Sequence, residues 1–200
     1  MDFLFLSQTA LFRGCSPRET ADMLQCLRAE RRVYEKDRVI CHAGDTVEAL
    51  GLVLSGGVNI ESVAVWGSRS ILGHVGPGQV FAETYACLPG EPLMVDAVAA
   101  QRTEVLFLNT ARLLRTWPSA CAHHAALIRN LLAVTSQKNL ALSRRIFHTS
   151  PKTIRGRLLS YLSAQALREN SRSFAIPFDR QQLADYLGVD RSALSAELGR

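Results

Sequence analysis

The sequence predicts an α+β chain: short helices, then an antiparallel β-sandwich or barrel, then one long helix and a small helical end. Three observations carry this. Between Arg32 and Leu108, short β-rich runs recur with glycine-bearing turns between them, the pattern of antiparallel sandwiches and barrels. From residue 119 to residue 148, neither proline nor glycine interrupts the chain. Charge is also divided: residues 1–137 carry 12 basic and 13 acidic side chains, and residues 138–200 carry 11 and 5.

Residues 3 to 31 read as helical. Ser16-Pro17-Arg18-Glu19 is a start signal, with Ser16 as N-cap, Pro17 in the first turn and Glu19 closing a capping box. Ala21, Leu24 and Leu27 then make an apolar stripe. Strands are expected at Arg38–Cys41, Gly51–Leu54, Val58–Ile60, Val63–Trp66, Ser70–Leu72 and Glu104–Leu108. Turns are expected at Ala43-Gly44-Asp45, Ser55-Gly56-Gly57, Trp66-Gly67-Ser68 and Gly76-Pro77-Gly78.

The long helix carries two stripes. Ile128, Leu132, Thr135, Asn139, Leu142 and Ile146 step alternately by four and three, which is a heptad seam. Leu127, Leu131 and Val134 lie beside it. One stripe suits the sandwich and the other a second copy of the chain, with Asn139 as a register-fixing polar residue. Thr149-Ser150-Pro151 then ends this helix and starts another, read from Ser150 to Leu167. The domains are accordingly drawn at 1–118, 119–148 and 149–200.

Composition narrows the class. With 48% hydrophobic and 20% charged residues the chain is globular rather than disordered. No apolar run approaches the roughly 18 residues of a membrane span, and Met1 to Leu11 lacks the basic start of a secretory signal, so a cytoplasmic protein is expected. Cys15, Cys26, Cys41, Cys87 and Cys121 form no CxxC pair and read as reduced thiols packed like small hydrophobes. A basic end on a neutral body is the footprint of a module that meets a polyanion. Neither a nucleophile–base set nor metal-ligand spacing occurs. His123 and His124 are adjacent on a helix and face apart, so no metal site and no enzyme is expected.

Residues 180 to 200 carry the sharpest signal. Leu183 and Leu187 point into a core, Ala184 is small where two helices cross, and Gly188 can take positive φ for the turn. Val189 plugs the gap, Asp190 caps the second helix, and Leu194 and Leu198 anchor it. That is helix-turn-helix geometry, whose second helix enters the major groove. Base contacts are expected from Arg191, Ser192, Ser195 and Ala196, with Gln181 and Gln182 on the helix before. Backbone phosphates are expected at Lys152, Arg155, Arg157, Arg172 and Arg180.

At this point the chain resembles the CRP/FNR regulators over nearly its whole length. The resemblance rests on Gly44-Asp45, on Leu54-Ser55-Gly56-Gly57-Val58, on Gly76-Pro77-Gly78-Gln79-Val80-Phe81-Ala82-Glu83, and on Leu183 to Leu198. It implies a double-stranded β-helix or jelly-roll like a cyclic nucleotide-binding domain, a homodimer, a small effector in the roll, and a palindromic DNA site. RNA polymerase is a further partner that the resemblance implies. The effector pocket would be lined by Phe81, Ala82, Glu83, Thr84, Leu93 and Met94.

The family's Gly-Glu pair reads Ala82-Glu83 here, and the Arg that holds a cyclic phosphate falls at Leu93, followed by Met94. Loss of that bidentate partner argues against cAMP. Cys15 and Cys26 do not copy the family's amino-terminal iron–sulfur cluster. For haem, His42, His74 and the cysteines are present, but a lone His or Cys on a strand is more often packed. The family's winged helix continues into a β-hairpin wing that is not reached by Arg200, and its frequent base-reading Arg falls at Ala196. A DNA-binding regulator is the leading expectation. The alternative is an effector-binding or protein-interaction module with a degenerate DNA domain.

Overall fold

The computed structural model describes residues 1–63, 69–114 and 122–199. The expected Ala64–Trp66 stretch, the Trp66-Gly67-Ser68 turn, the helix start at residue 119 and Cys121 lie outside them. The described chain divides into two compact units, 1–135 and 136–200.

In the first unit, α1 (Phe3–Gln8) is capped by Asp2, whose carboxylate accepts from the Phe5 amide. Helix α2 (Pro17–Cys26) starts on the expected Ser16–Glu19 capping box. The helical reading of residues 3–31 is corrected at its end: Glu30–Tyr34 is strand β1. Leu27 ends α2 in the core, and the charged Glu30-Arg31-Arg32 leaves it to form a sheet edge.

The remaining strands are β2 (Val39–Cys41), β3 (Ala49–Ser55), β4 (Val58–Val63), β5 (Arg69–Val75), β6 (Val80–Phe81), β7 (Asp96–Ala99) and β8 (Thr103–Asn109). Two four-stranded sheets form, in the orders β1-β8-β3-β6 and β2-β7-β4-β5. Every pairing is antiparallel. The runs expected separately at Val58–Ile60 and from Val63 onward are joined in β4, which bends through an irregularity at Ile60/Glu61 rather than breaking. Gly56 takes φ +82 in the β3–β4 turn, with no room for a side chain against Arg102 and Thr103.

Two apolar clusters fill this unit. One lies inside the roll, around Val53, Val58, Phe81, Leu93 and Val105. The other joins α1 and α2 to β3 and β8 and receives Leu127 and Leu131. These two belong to α5 (Ala122–Thr149), so the expected second stripe does bury on the sandwich. Each such leucine is worth about 1.5–3 kcal/mol before entropy. Asn130 fixes the register, donating from Nδ2 to the Leu11 and Arg13 carbonyls at 3.0 and 2.8 Å. Between the sandwich and α5 come α3 (Glu83–Ala86), which follows β6, and α4 (Thr110–Leu114).

Cys26 departs from the packed-thiol expectation: it is exposed at the end of α2, where the helix turns away from the core. Cys15 and Cys41 are buried, and burial pushes the Cys41 thiol up to about 11.

The second unit holds the end of α5, then α6 (Ile154–Glu169), α7 (Arg180–Leu187) and α8 (Arg191–Leu198). The expected start of α6 at Ser150-Pro151 moves forward. Thr153 is the cap, its hydroxyl accepting from the Gly156 amide at 3.0 Å, and Pro151 precedes the helix. Leu158, Tyr161, Leu183, Ala184, Leu187 and Leu194 make the core.

Candidate nucleic-acid interface and effector roll

The helix-turn-helix forms as the sequence predicts. Asp179 caps α7 and Gln182 closes the box, its Oε1 accepting from the Asp179 amide at 2.9 Å. Gly188 takes φ +64 and ends the helix, the left-handed step that an L side chain resists. Asp190 caps α8 by accepting from the Ser192 and Ala193 amides at 2.9 and 3.0 Å. It also accepts from the Ser192 hydroxyl, and these bonds hold its carboxyl below its ordinary range. Leu194 is fully buried, but Leu198, expected as an anchor, is 39% exposed. It sits one turn beyond Leu194 at the end of α8, past the cluster that covers Leu194.

The expected base-reading residues divide. Arg191, Ser192 and Ala196 are exposed on α8 and Ser195 is half-buried. Ser192 is tied to the Asp190 cap, Gln182 to the α7 cap, and Gln181 donates to Asp185 Oδ1 at 2.9 Å. Of the expected phosphate residues, Lys152, Arg155, Arg172 and Arg180 are exposed. Arg157 is half-buried and serves the frame instead. It donates to the carbonyls of Pro151 (2.9 Å), Leu187 (3.1 Å) and Gly188 (2.9 Å), satisfying the end of α7 at the turn.

A second arginine, missed in the sequence, does the same from α5. Arg145 donates from Nε to the Tyr186 carbonyl at 3.1 Å and from Nη2 to the Asp185 carbonyl at 2.9 Å. Its guanidinium also lies 5.9 Å from the centre of the Tyr186 ring. Beside it, His148, Tyr161, Tyr186 and Phe178 form an aromatic cluster with ring centres 5.2–6.2 Å apart. Burial lowers the His148 pKa, and Arg144 adds to the shift. No spacing in the sequence marks Arg145, because its partners are carbonyls about 40 residues away.

In the first unit, α3 follows β6 directly. Phe81 is buried, and Ala82 turns the chain at φ +58. Glu83 is buried as the first residue of α3, and Thr84 is exposed beside it. Leu93 is 5% exposed and packs in the roll's apolar cluster, while its amide and carbonyl bond to Asp45 and Gly44 at 2.8 and 2.7 Å. Met94 is 79% exposed, with its amide on the Tyr85 hydroxyl at 3.4 Å. Arg69 faces Glu61 at 3.9 Å and Arg102 faces Glu35 at 3.5 Å. His74 is bonded to Asn59 at 2.9 Å. Among the described residues, no group of three or more His, Cys, Asp or Glu is placed to hold a metal ion. No helix among them is long and apolar enough to cross a membrane.

Of the expected seam on α5, Leu132 (65%), Leu142 (61%) and Ile146 (68%) are exposed, as is Asn139. Thr135 is half-buried, its hydroxyl donating to the carbonyls one turn back. Ile128 is half-buried and packs against the first unit's own core, so the seam's first position is shared with the sandwich.

The first unit is thus a roll of two antiparallel sheets, and the second carries a helix-turn-helix. Residues 31–117 match the cyclic nucleotide-binding domain family. The chain is 34% identical over 125 residues to the cyclic AMP receptor protein of Thermus thermophilus, a match covering 61% of this chain and 56% of that protein. The crystal structure of the Thermus thermophilus catabolite activator protein aligns over 96% of this chain and 85% of that one, at 26% identity and TM-score 0.57. CprK in complex with OCPA shares the fold at TM-score 0.65 and 14% identity, over 90% of this chain and 80% of that one. The chain is thus similar to the cyclic AMP receptor and catabolite activator proteins, and it spans little more than half the length of the curated relative it matches.

Proposed function

We propose that this chain works as a homodimer that binds double-stranded DNA through α8 and is controlled by a small effector in the roll. The observation that carries the reading is the capped α7–Gly188–α8 motif, with Arg191 exposed at the start of α8. Two copies joined along α5 would hold two recognition helices for half-sites about 34 Å apart. The exposed Leu132, Leu142 and Ile146 support that pairing. Lys152, Arg155, Arg172 and Arg180 would position the backbone, a role that needs charge and not sequence.

The test is duplex binding across a salt series. Log affinity should fall linearly with log salt, and Arg155→Gln with Arg180→Gln should each flatten the slope by about 0.9. An unchanged slope would remove both from the interface.

We further infer that the effector is not cAMP. The matched relative is a cyclic AMP receptor protein, but Leu93 stands in an apolar cluster where the phosphate-binding guanidinium is expected. Calorimetry with cAMP should show no micromolar binding. A micromolar constant would mean that Arg69 or Arg102 leaves its carboxylate to reach the pocket.

A further inference from the structure

The second unit contains an open cleft of about 390 Å³ that the helix-turn-helix does not use. Ser143, Arg144, Phe147 and His148 of α5 line it, with Gln165 and Arg168 of α6. The lining holds two guanidiniums and no carboxylate. Arg168 meets Glu169 at 3.8 Å, with both side chains more than half exposed, so that pair is loose and screened. Phe147 is 66% exposed, and its ring lies edge-on to His148 at 5.7 Å. The volume lies within the range of small-molecule sites.

The chemistry of such a lining is specific. Guanidiniums bind phosphate through paired, charge-assisted donors. An exposed aromatic face beside them gives a planar ring a surface to leave water against. Ser143 and Gln165 add neutral donors. We propose that this cleft binds a free phosphate monoester carried on a planar ring, with the phosphate between Arg144 and Arg168 and the ring against Phe147.

His148 is a built-in reporter. It is 4% exposed, and its Nδ1 lies 3.3 Å from Ser160 Oγ. The titratable or charged groups facing it are Arg144 on α5, Tyr161 and Arg168 on α6 and Tyr186 on α7. A dianion entering the cleft would offset the Arg144 charge and raise the His148 pKa.

The test uses the full chain with 4-nitrophenyl phosphate, inorganic phosphate and a short DNA duplex as probes. Calorimetry should find 4-nitrophenyl phosphate binding that Arg144→Gln and Arg168→Gln each weaken by about tenfold or more, with Arg168→Lys partly restoring it. Phe147→Ala should weaken 4-nitrophenyl phosphate but leave inorganic phosphate unchanged. The His148 resonances should titrate at higher pH in the saturated protein. Absence of millimolar binding would overturn the proposal. So would equal weakening by Arg18→Gln, a charge change in the first unit, which would mean general attraction. Loss of duplex affinity in the two arginine variants, without aryl phosphate binding, would also overturn it and assign both side chains to the DNA backbone. Duplex binding that fails altogether, with the aryl phosphate results as expected, would count against the DNA reading alone.

Discussion

At Ala82 the chain takes φ +58 to pass from β6 into α3, a conformation that costs an L side chain about 1 kcal/mol and glycine almost nothing. Ala82→Gly should therefore raise stability by about 1 kcal/mol, read as a shift of the urea midpoint at constant slope. An unchanged or lower midpoint would show that the Ala82 methyl, which packs on the roll's core, outweighs the strain. Arg157 shows how a single residue misleads at this scale. By charge and position it reads as a phosphate contact, yet it is spent on two carbonyls at the helix-turn-helix turn and on the Pro151 carbonyl before α6. Charge is visible in a sequence, but the carbonyls that capture it are not.

At the scale of elements, legibility followed local chemistry. The caps at Ser16 and Asp190 were readable because donor and acceptor lie within three residues of each other. Strand β1 was not, because Glu30-Arg31-Arg32 is polar and borders the sheet from an edge. There it pairs with β8 and ties Arg31 to Glu104, neither of which the local pattern shows. Strand β7, Asp96-Ala97-Val98-Ala99, is short and alanine-rich, which weakens any strand signal, although three of its residues are buried. The stripe of α5 that buries on the sandwich, Leu127, Leu131 and Val134, was legible, since it follows from the 3.6-residue turn. Leu132 is 65% exposed within one chain, so Leu132→Asp should leave the fold intact and disperse the dimer. Sedimentation should show dimers for the native protein and monomers for the variant. Monomers in both, or dimers in both, would place the interface elsewhere.

For the whole molecule, composition marked the second unit as basic before any motif did, since the net positive charge lies after residue 137. The roll was legible through its turns, and the division into units follows from two separate cores rather than from any linker. The clamp of Arg145 and Arg157 on the end of α7 was hidden, because it joins helices distant in sequence. If α8 reads DNA, Arg191, exposed at its start, is the side chain placed to reach a base. Arg is suited to the O6 and N7 of guanine, a pairing worth about 1–3 kcal/mol against the wrong base. A footprint on the best-bound duplex, compared between native protein and Arg191→Ala, tests this most directly. The variant should lose about 1–3 kcal/mol of affinity on that site and relax its preference at one base pair in each half-site. An unchanged footprint with unchanged sequence preference would contradict it.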